Sequence, residues 1–402
     1  ILSPGFQSKP WLELANAVGV KIKMHQHRTR ALPGAAATRK AKIATERRGS
    51  NSPGPEYFRS YFSQVKAGVL STGESKSSMD FNGLCVIIPT RNRADLTPRA
   101  IQSVLTQADS NVRVIVSDNS TSSQDRDALA KYCEGLNESR LTYLRPPEPL
   151  PMSRHWEWAL QQALLEKEIT HFSYLTDRMM FRPNSLEALI SILRQYPEKI
   201  VCYLHDRVAD FRPPYRLAQN EWTGKLYEVA ATRLLSLSAN SVIYDGCVPR
   251  MLNCVVPRGV LDGVRMRFGS VFSSISPDWN FAYRALEVVD SLLYFHKALL
   301  VNYSLARSNG WSAHLGIRNS ANEQFFRELE VPVNFKAPYP EIITVWNALI
   351  HEYCSVKEEA QSKKFPELDL VLIESGGDNL AAAQAALGCL PPSVAPRATG
   401  HV

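Results

Sequence analysis

Apolar residues along the chain come in short blocks, and the spacing inside each block predicts an element. LCVIIP (84–89) is an unbroken, largely β-branched run, as expected of a strand buried on both faces in a parallel sheet. Thr97 and Pro98 then offer an N-cap and a first-turn proline, and Ala100, Ile101, Val104 and Leu105 fall on one helical face. VRVIVSD (112–118) and LTYLRP (141–146) read as strands, MSRHWEWALQQALLEKE (152–168) as a helix, and HFSYLTD (171–177) as a further strand. Asn184 and Glu187 have the spacing of a capping box before the helix SLEALISILRQY (185–196), and KIVCYLH (199–205) resumes the strand pattern. Strands alternating with helices predict an α/β fold: a doubly wound, mostly parallel sheet flanked by helices. VVDSLLYFHKALLVNYSLA (288–306) is interrupted by Asp290, His296 and Lys297, so it reads as two strands and not as a membrane span. No internal repeat is visible.

Outside this alternation the pattern thins. Residues 11–22 could form a short helix, and 23–55 read as a linker because breakers outnumber periodic apolar positions. Phe58, Tyr61, Phe62 and Val65 give 56–70 helical spacing, and 71–80 is again linker-like. The expected division is a basic N-terminal arm and linker (1–80), an α/β domain (81–310) and a mainly helical C-terminal extension (311–402). A chain of 402 residues that is 45% hydrophobic and 21% charged fits a soluble globular protein. There is no charged-head, apolar-core secretory signal, and the start at Ile1 fits a trimmed chain or part of a longer one. Seven scattered cysteines without a C-x-x-C pair point to buried thiols in a reduced cytoplasm and away from zinc. The net charge of +7 is uneven: residues 1–66 hold twelve Lys/Arg and three Asp/Glu, which leaves the body slightly acidic.

Doubly wound sheets bind ligands outside the carboxyl ends of their strands. Polar candidates collect there: Pro89–Arg93, Asp118, and Asp177 followed by Arg178. Each has an ordinary explanation. Asp118 begins DNSTSS, a common turn composition, and Asp177–Arg178 could be a plain ion pair. Their recurrence at successive strand ends is the signal.

With those residues in view, CVIIPTRNRADLTPRAIQSVLTQ, VRVIVSDNSTSS and LTDRMMFRP together resemble the family-two inverting glycosyltransferases with a GT-A fold. The resemblance spans about 84–310. MSRHWEWAL resembles the family's helix before the metal-motif strand, with His155 where an Asn often stands, and SPDWNFAYRAL (276–286) resembles an acceptor-side segment. It implies that Pro89, Thr90, Arg93, Asp118, Arg154 and Asp177 line the nucleotide-sugar pocket, with Asp118 accepting hydrogen bonds from the base. It also implies that Asp278 is the general base and that Trp279 stands on the acceptor side.

The sequence departs from the family where Arg178 and Met179 follow Asp177 in place of further acids. A hard dication wants several oxygen ligands, and an adjacent guanidinium repels it. Three readings stay open. Arg178 replaces the cation, gripping phosphate oxygens with its planar fork. Alternatively, Asp177–Arg178 is an ion pair in a silent site. Or Asp177 and His314 hold Mg²⁺ or Mn²⁺. The leading expectation is an inverting transferase without a cofactor, moving sugar from a nucleotide diphosphate sugar to a glycan or lipid-linked hydroxyl. Its rival is a silent nucleotide-sugar- or glycan-binding module of polysaccharide assembly. A nucleotidyltransferase ranks last, since PTRNRAD lacks a Gly-rich phosphate loop. No nucleic-acid partner is expected. Residues 21–66 offer a basic surface to an anionic membrane, which would place the protein in the cytoplasm, peripheral at the inner face of the membrane.

Overall fold

The computed structural model describes residues 80–107, 111–210, 215–239, 246–310 and 345–369, together with 63–64, 325, 327–328 and 335–336. The helix expected at 11–22, both linkers, and His314 lie outside the described residues.

Three parallel strands open the sheet: β2 (Leu84–Thr90), β3 (Val112–Asp118) and β4 (Leu141–Leu144), with β5 (His171–Tyr174) parallel on the other side of β2. All seven residues of β2 are buried, as its unbroken apolar run predicts. The other half is mixed. It contains β6 (Met179–Phe181), β7 (Val201–Ala209), β8 (Arg216–Ala218), β9 (Leu226–Ala230), β10 (Cys254–Pro257) and β11 (Ser291–Asn302). With the two-residue β1 (Ser63–Gln64), the strand order is β1-β9-β11-β7-β10-β5-β2-β3-β4, with β6 on β11 and β8 on β7. Antiparallel β10 joins the halves by pairing with both β5 and β7.

Helices cover the sheet: α1 (Thr97–Leu105), α2 (Ser123–Gly135), α3 (Met152–Ala163), α4 (Ser185–Gln195), α5 (Ala231–Ala239), α6 (Arg258–Phe268), α7 (Pro277–Val288) and α8 (Val345–Ala360). The architecture is the expected α/β sheet flanked by helices. One core cluster sits under α3, α5, α6 and α7, and a second sits under α1 and α4. The six cysteines among the described residues are free, and all but Cys354 are buried.

Several local expectations are corrected. Residues 291–302 form one strand, with register shifts against β7 between Phe295 and Ala298 and between Ala298 and Leu300. The polar pair His296–Lys297 is absorbed as a bulge and does not end the strand. Ser63–Gln64 pair with β9, against the helix expected over 56–70. Asn184 caps nothing with its side chain; it takes a left-handed turn at φ 61° before α4. Thr97 lies inside α1, after Leu96 at the N-cap, and its hydroxyl returns to the Arg93 carbonyl at 2.9 Å. Helix α2 was not anticipated. Finally, α8 does not stand apart as an extension: Leu349, Tyr353, Val356 and Ala360 join the main core.

Candidate active site at the strand ends

The parallel register sets the site. Thr90, the last residue of β2, lies beside Asp118, the last of β3. The chain leaving β5 brings Asp177 to the same edge, where Thr90 donates its hydroxyl to Asp177 Oδ2 at 3.0 Å. Arg93 donates Nη1–H to Asp177 Oδ1 at 3.1 Å and Nη2–H to the Arg307 carbonyl at 2.6 Å. The Asp177 side chain is only 2% exposed, so this pairing supplies the counter-charge a buried carboxylate needs.

Arg178 stands one step further off. Pairing of β6 with β11 puts Met179 opposite Asn302, and the Tyr303 N–H donates to the Arg178 carbonyl at 3.0 Å. Its guanidinium donates to Asn302 Oδ1 at 3.2 Å, and its Nε is 4.0 Å from Asp177 Oδ1. That Nε is buried without a hydrogen-bond partner. Burial, helped by the nearby Arg93 charge, lowers the Arg178 pKa to about 10, so it stays cationic at neutral pH. The carboxylate's direct ion partner is therefore Arg93, and the Asp177–Arg178 contact expected from adjacency is the weaker of the two.

Asp118 is fully buried and already engaged. Its Oδ1 accepts the Ser120 N–H at 2.8 Å, a local turn bond, and its Oδ2 accepts the Tyr143 hydroxyl at 2.7 Å. A carboxylate has lone pairs beyond these two, so further acceptance is chemically open. Pro89 is buried in β2, and Arg154 is exposed on the first turn of α3. Beneath the pocket, His155 Nε2 meets Ser117 Oγ at 2.8 Å; burial, with the Arg91 charge, drives its pKa down to about 3, so it is neutral. Arg91, not singled out from sequence, makes a bidentate pair with Glu328, both contacts at 2.6 Å.

Asp278 belongs to a second group, on the first turn of α7 after Ser276 and Pro277. The loop ahead of it is tied to α3: Ser153 donates to the Ser274 carbonyl, and Glu157 Oε2 accepts the N–H groups of Val271 and Phe272, each at 2.9 Å. Trp279 is 7% exposed, with the Arg250 guanidinium 4.9 Å from its ring centroid and the tilted Tyr283 ring at 6.3 Å. A cavity of about 250 Å³ is lined by Arg99, Asp210, Tyr303 and Arg307 among others and takes in none of the predicted site residues. Through Tyr303 and Arg307 it adjoins the Asp177 cluster.

Asp177 spends its oxygens on Thr90 and Arg93, Met179 is a buried thioether, and no three His, Cys, Asp or Glu side chains converge among the described residues. These described groups do not fit a hard dication.

The helix-flanked α/β sheet gathers charged groups at its parallel strand ends, where such sheets bind ligands. Residues 85–250 match the family described as Glycosyl transferase family 2, and the match supports a glycosyltransferase. No curated protein matches the chain at a significant level. Among solved structures, S. aureus TarS 1-349 in complex with UDP-GlcNAc overlaps with TM-score 0.44 and 13% identity, covering 75% of this chain and 81% of that one. TarS 1-349 in complex with UDP gives 0.45 and 16%, covering 75% and 87%. GalNAc-T7 with UDP, GalNAc and Mn²⁺ gives 0.42 and 12%, covering 79% of this chain and 58% of that chain. These overlaps are distant, and the functional reading does not rest on them.

Proposed function

We propose that the protein is an inverting glycosyltransferase that moves a sugar from a nucleotide diphosphate sugar to a hydroxyl of a glycan or lipid-linked acceptor, without a metal ion. The observation that carries this reading is the Thr90–Arg93–Asp177–Arg178 cluster at the strand ends of a family-two domain. The leaving nucleoside diphosphate gains negative charge as the glycosidic bond breaks. Fixed cations aimed at that charge lower the barrier. Arg178, with a donor N–H still unpartnered, supplies the positive charge that a dication supplies elsewhere, while Arg93 balances Asp177. Asp278 takes the proton of the acceptor hydroxyl as that oxygen attacks the anomeric carbon from the face opposite the departing diphosphate, which inverts the centre. Asp118 accepts from the nucleotide base, and the basic residues 21–66 approach the anionic membrane where lipid-linked acceptors reside.

The test is a thermal-shift panel of UDP, GDP, CDP and dTDP sugars, with and without EDTA, followed by detection of released nucleotide. A ligand that binds only the folded state raises its melting temperature. Stabilisation and turnover that survive EDTA are expected. Turnover abolished by EDTA and restored by Mn²⁺ overturns the metal-free reading, and nucleotide binding without turnover in any condition overturns the catalytic one.

A further inference from the structure

The segment beyond residue 310 offered only His314 as a candidate in the sequence, yet it places a fully buried carboxylate under the helix that bears Asp278. Glu352, in the middle of α8, accepts the Ser276 N–H on Oε1 at 2.8 Å and the Asn280 side-chain N–H on Oε2 at 2.9 Å. These two donors lie two positions before and two positions after Asp278. Asn280 is held at its other end by the Ser273 hydroxyl, 3.0 Å from its Oδ1. Ser276 makes no side-chain cap to its own helix, and Glu352 reaches the Ser276 N–H from another element as the N3 acid of a capping box does locally. The support is itself fixed. Glu359 pairs with Arg284 of α7 through contacts of 3.0 and 2.8 Å, and the Tyr353 hydroxyl donates to the Pro366 carbonyl at 2.7 Å.

We propose that Glu352 is a positioning residue for Asp278, gripping the turn that opens α7 from both sides and thereby fixing where the base carboxylate stands. The proposal rests on the reading of Asp278 as base. A neutral cap would hold the turn at less cost, because a buried carboxylate must be desolvated. What the acid adds is charge close to Asp278. A like charge disfavours ionisation of its neighbour and so makes a carboxylate a better proton acceptor. Burial first, then the Asp278 charge, pushes the Glu352 pKa up to about 7, so its own ionisation falls within the working range. The other titratable and charged groups around it, among the described residues, are Tyr283 from α7 and His351 from its own helix, with Arg250 over Trp279. His351 meets Ser274 Oγ at 3.4 Å and the Lys336 N–H at 3.0 Å, and it is driven toward neutrality by burial.

The full chain, labelled with ¹³C at the aspartate carboxyls, provides the test. The Asp278 signal is assigned by its loss in Asp278→Asn and titrated in the wild type, Glu352→Gln and Asn280→Ala. The wild-type curve is expected to show a second inflection from Glu352. In Glu352→Gln that inflection should vanish. On whichever of UDP-glucose, UDP-GlcNAc, GDP-mannose and dTDP-glucose the wild type hydrolyses, kcat should drop about tenfold to a hundredfold with KM held. Asn280→Ala, which loosens the grip and keeps the charge, should lower kcat and retain the second inflection. A purely structural cap would leave the Asp278 titration unchanged in folded Glu352→Gln, and that result overturns the proposal. If both variants fail to fold, the wild type still decides, because a single inflection overturns it. Full turnover by Asp278→Asn instead removes the base reading while leaving the titration result standing, so the two failures are distinguishable.

Discussion

Asp177 is the residue around which the site is arranged, and its partners decide what each arginine does. Arg93 neutralises it at 3.1 Å, while Arg178 stays 4.0 Å away with a donor to spare. The two substitutions should therefore separate. Arg93→Ala strips a buried carboxylate of its counter-ion and should cost about 1.5–3 kcal/mol of stability, toward the lower end because water reaches the Arg93 side chain. Arg178→Ala should lose at least about tenfold in kcat, and Arg178→Lys should recover only part, since the charge returns without the planar fork. Urea unfolding and donor hydrolysis read the two effects, and Arg178→Ala with full turnover would remove the arginine from catalysis. Asp118 allows a similar separation. Tyr143→Phe takes one hydrogen bond from it, Asp118→Asn takes its charge, and each should cost stability of about 1–3 kcal/mol. Only Asp118→Asn should weaken free-nucleotide binding, measured by calorimetry. Equal affinities would leave Asp118 as the turn-holding acid that its bonds to Ser120 and Tyr143 already make it.

At the scale of elements, what was legible in the sequence follows from how local the cause is. Strands β2, β3, β5 and β7 announce themselves because burial on both faces leaves an apolar run. Asp118 and Asp177 were found because the runs of β3 and β5 lead directly into them. Helix α2 escaped because it buries only Leu129 and Cys133, although Ser122 caps it by accepting the Asp125 N–H at 3.2 Å, an S-x-x-D signal visible in the sequence. Arg93 as the true partner of Asp177, and Glu352 under α7, were illegible for a different reason: their partners lie more than 70 residues away in the chain. The α7–α8 junction carries its own pH prediction. Folding raises the Glu352 pKa from 4.5 to about 7, so the folded state binds the proton more tightly than the unfolded chain. Its favourable contribution is present below the unfolded value and is lost as pH rises through the folded one. Glu352→Gln keeps a neutral side chain throughout. Its melting temperature relative to wild type should therefore climb between about pH 4.5 and 7 and then level. A difference that stays flat across that window would show that Glu352 titrates normally.

At the scale of the molecule, the α/β body and the basic arm answer to different physics. The shared core takes in Leu349, Tyr353, Val356, Ala360 and Phe365, each at most 5% exposed. Losing one large buried side chain typically costs about 2–5 kcal/mol, and a domain has only about 5–15 kcal/mol in total. A chain ending at 344 should therefore fail to fold cooperatively. The arm is held to no such account: its surplus of nine positive charges over residues 1–66 contrasts with a body of net −2. No helix among the described residues is long and apolar enough to cross a membrane. Each basic residue near an anionic bilayer contributes about 1 kcal/mol, and screening cuts the attraction within about 8 Å at physiological ionic strength. The full chain should thus sediment with phosphatidylserine-containing liposomes at low salt and release as salt rises. A chain starting at Met79 should stay in solution under both conditions, with its donor hydrolysis unchanged. Binding that ignores salt would mean the arm does not act through charge, and binding that survives removal of residues 1–78 would move the contact onto the body.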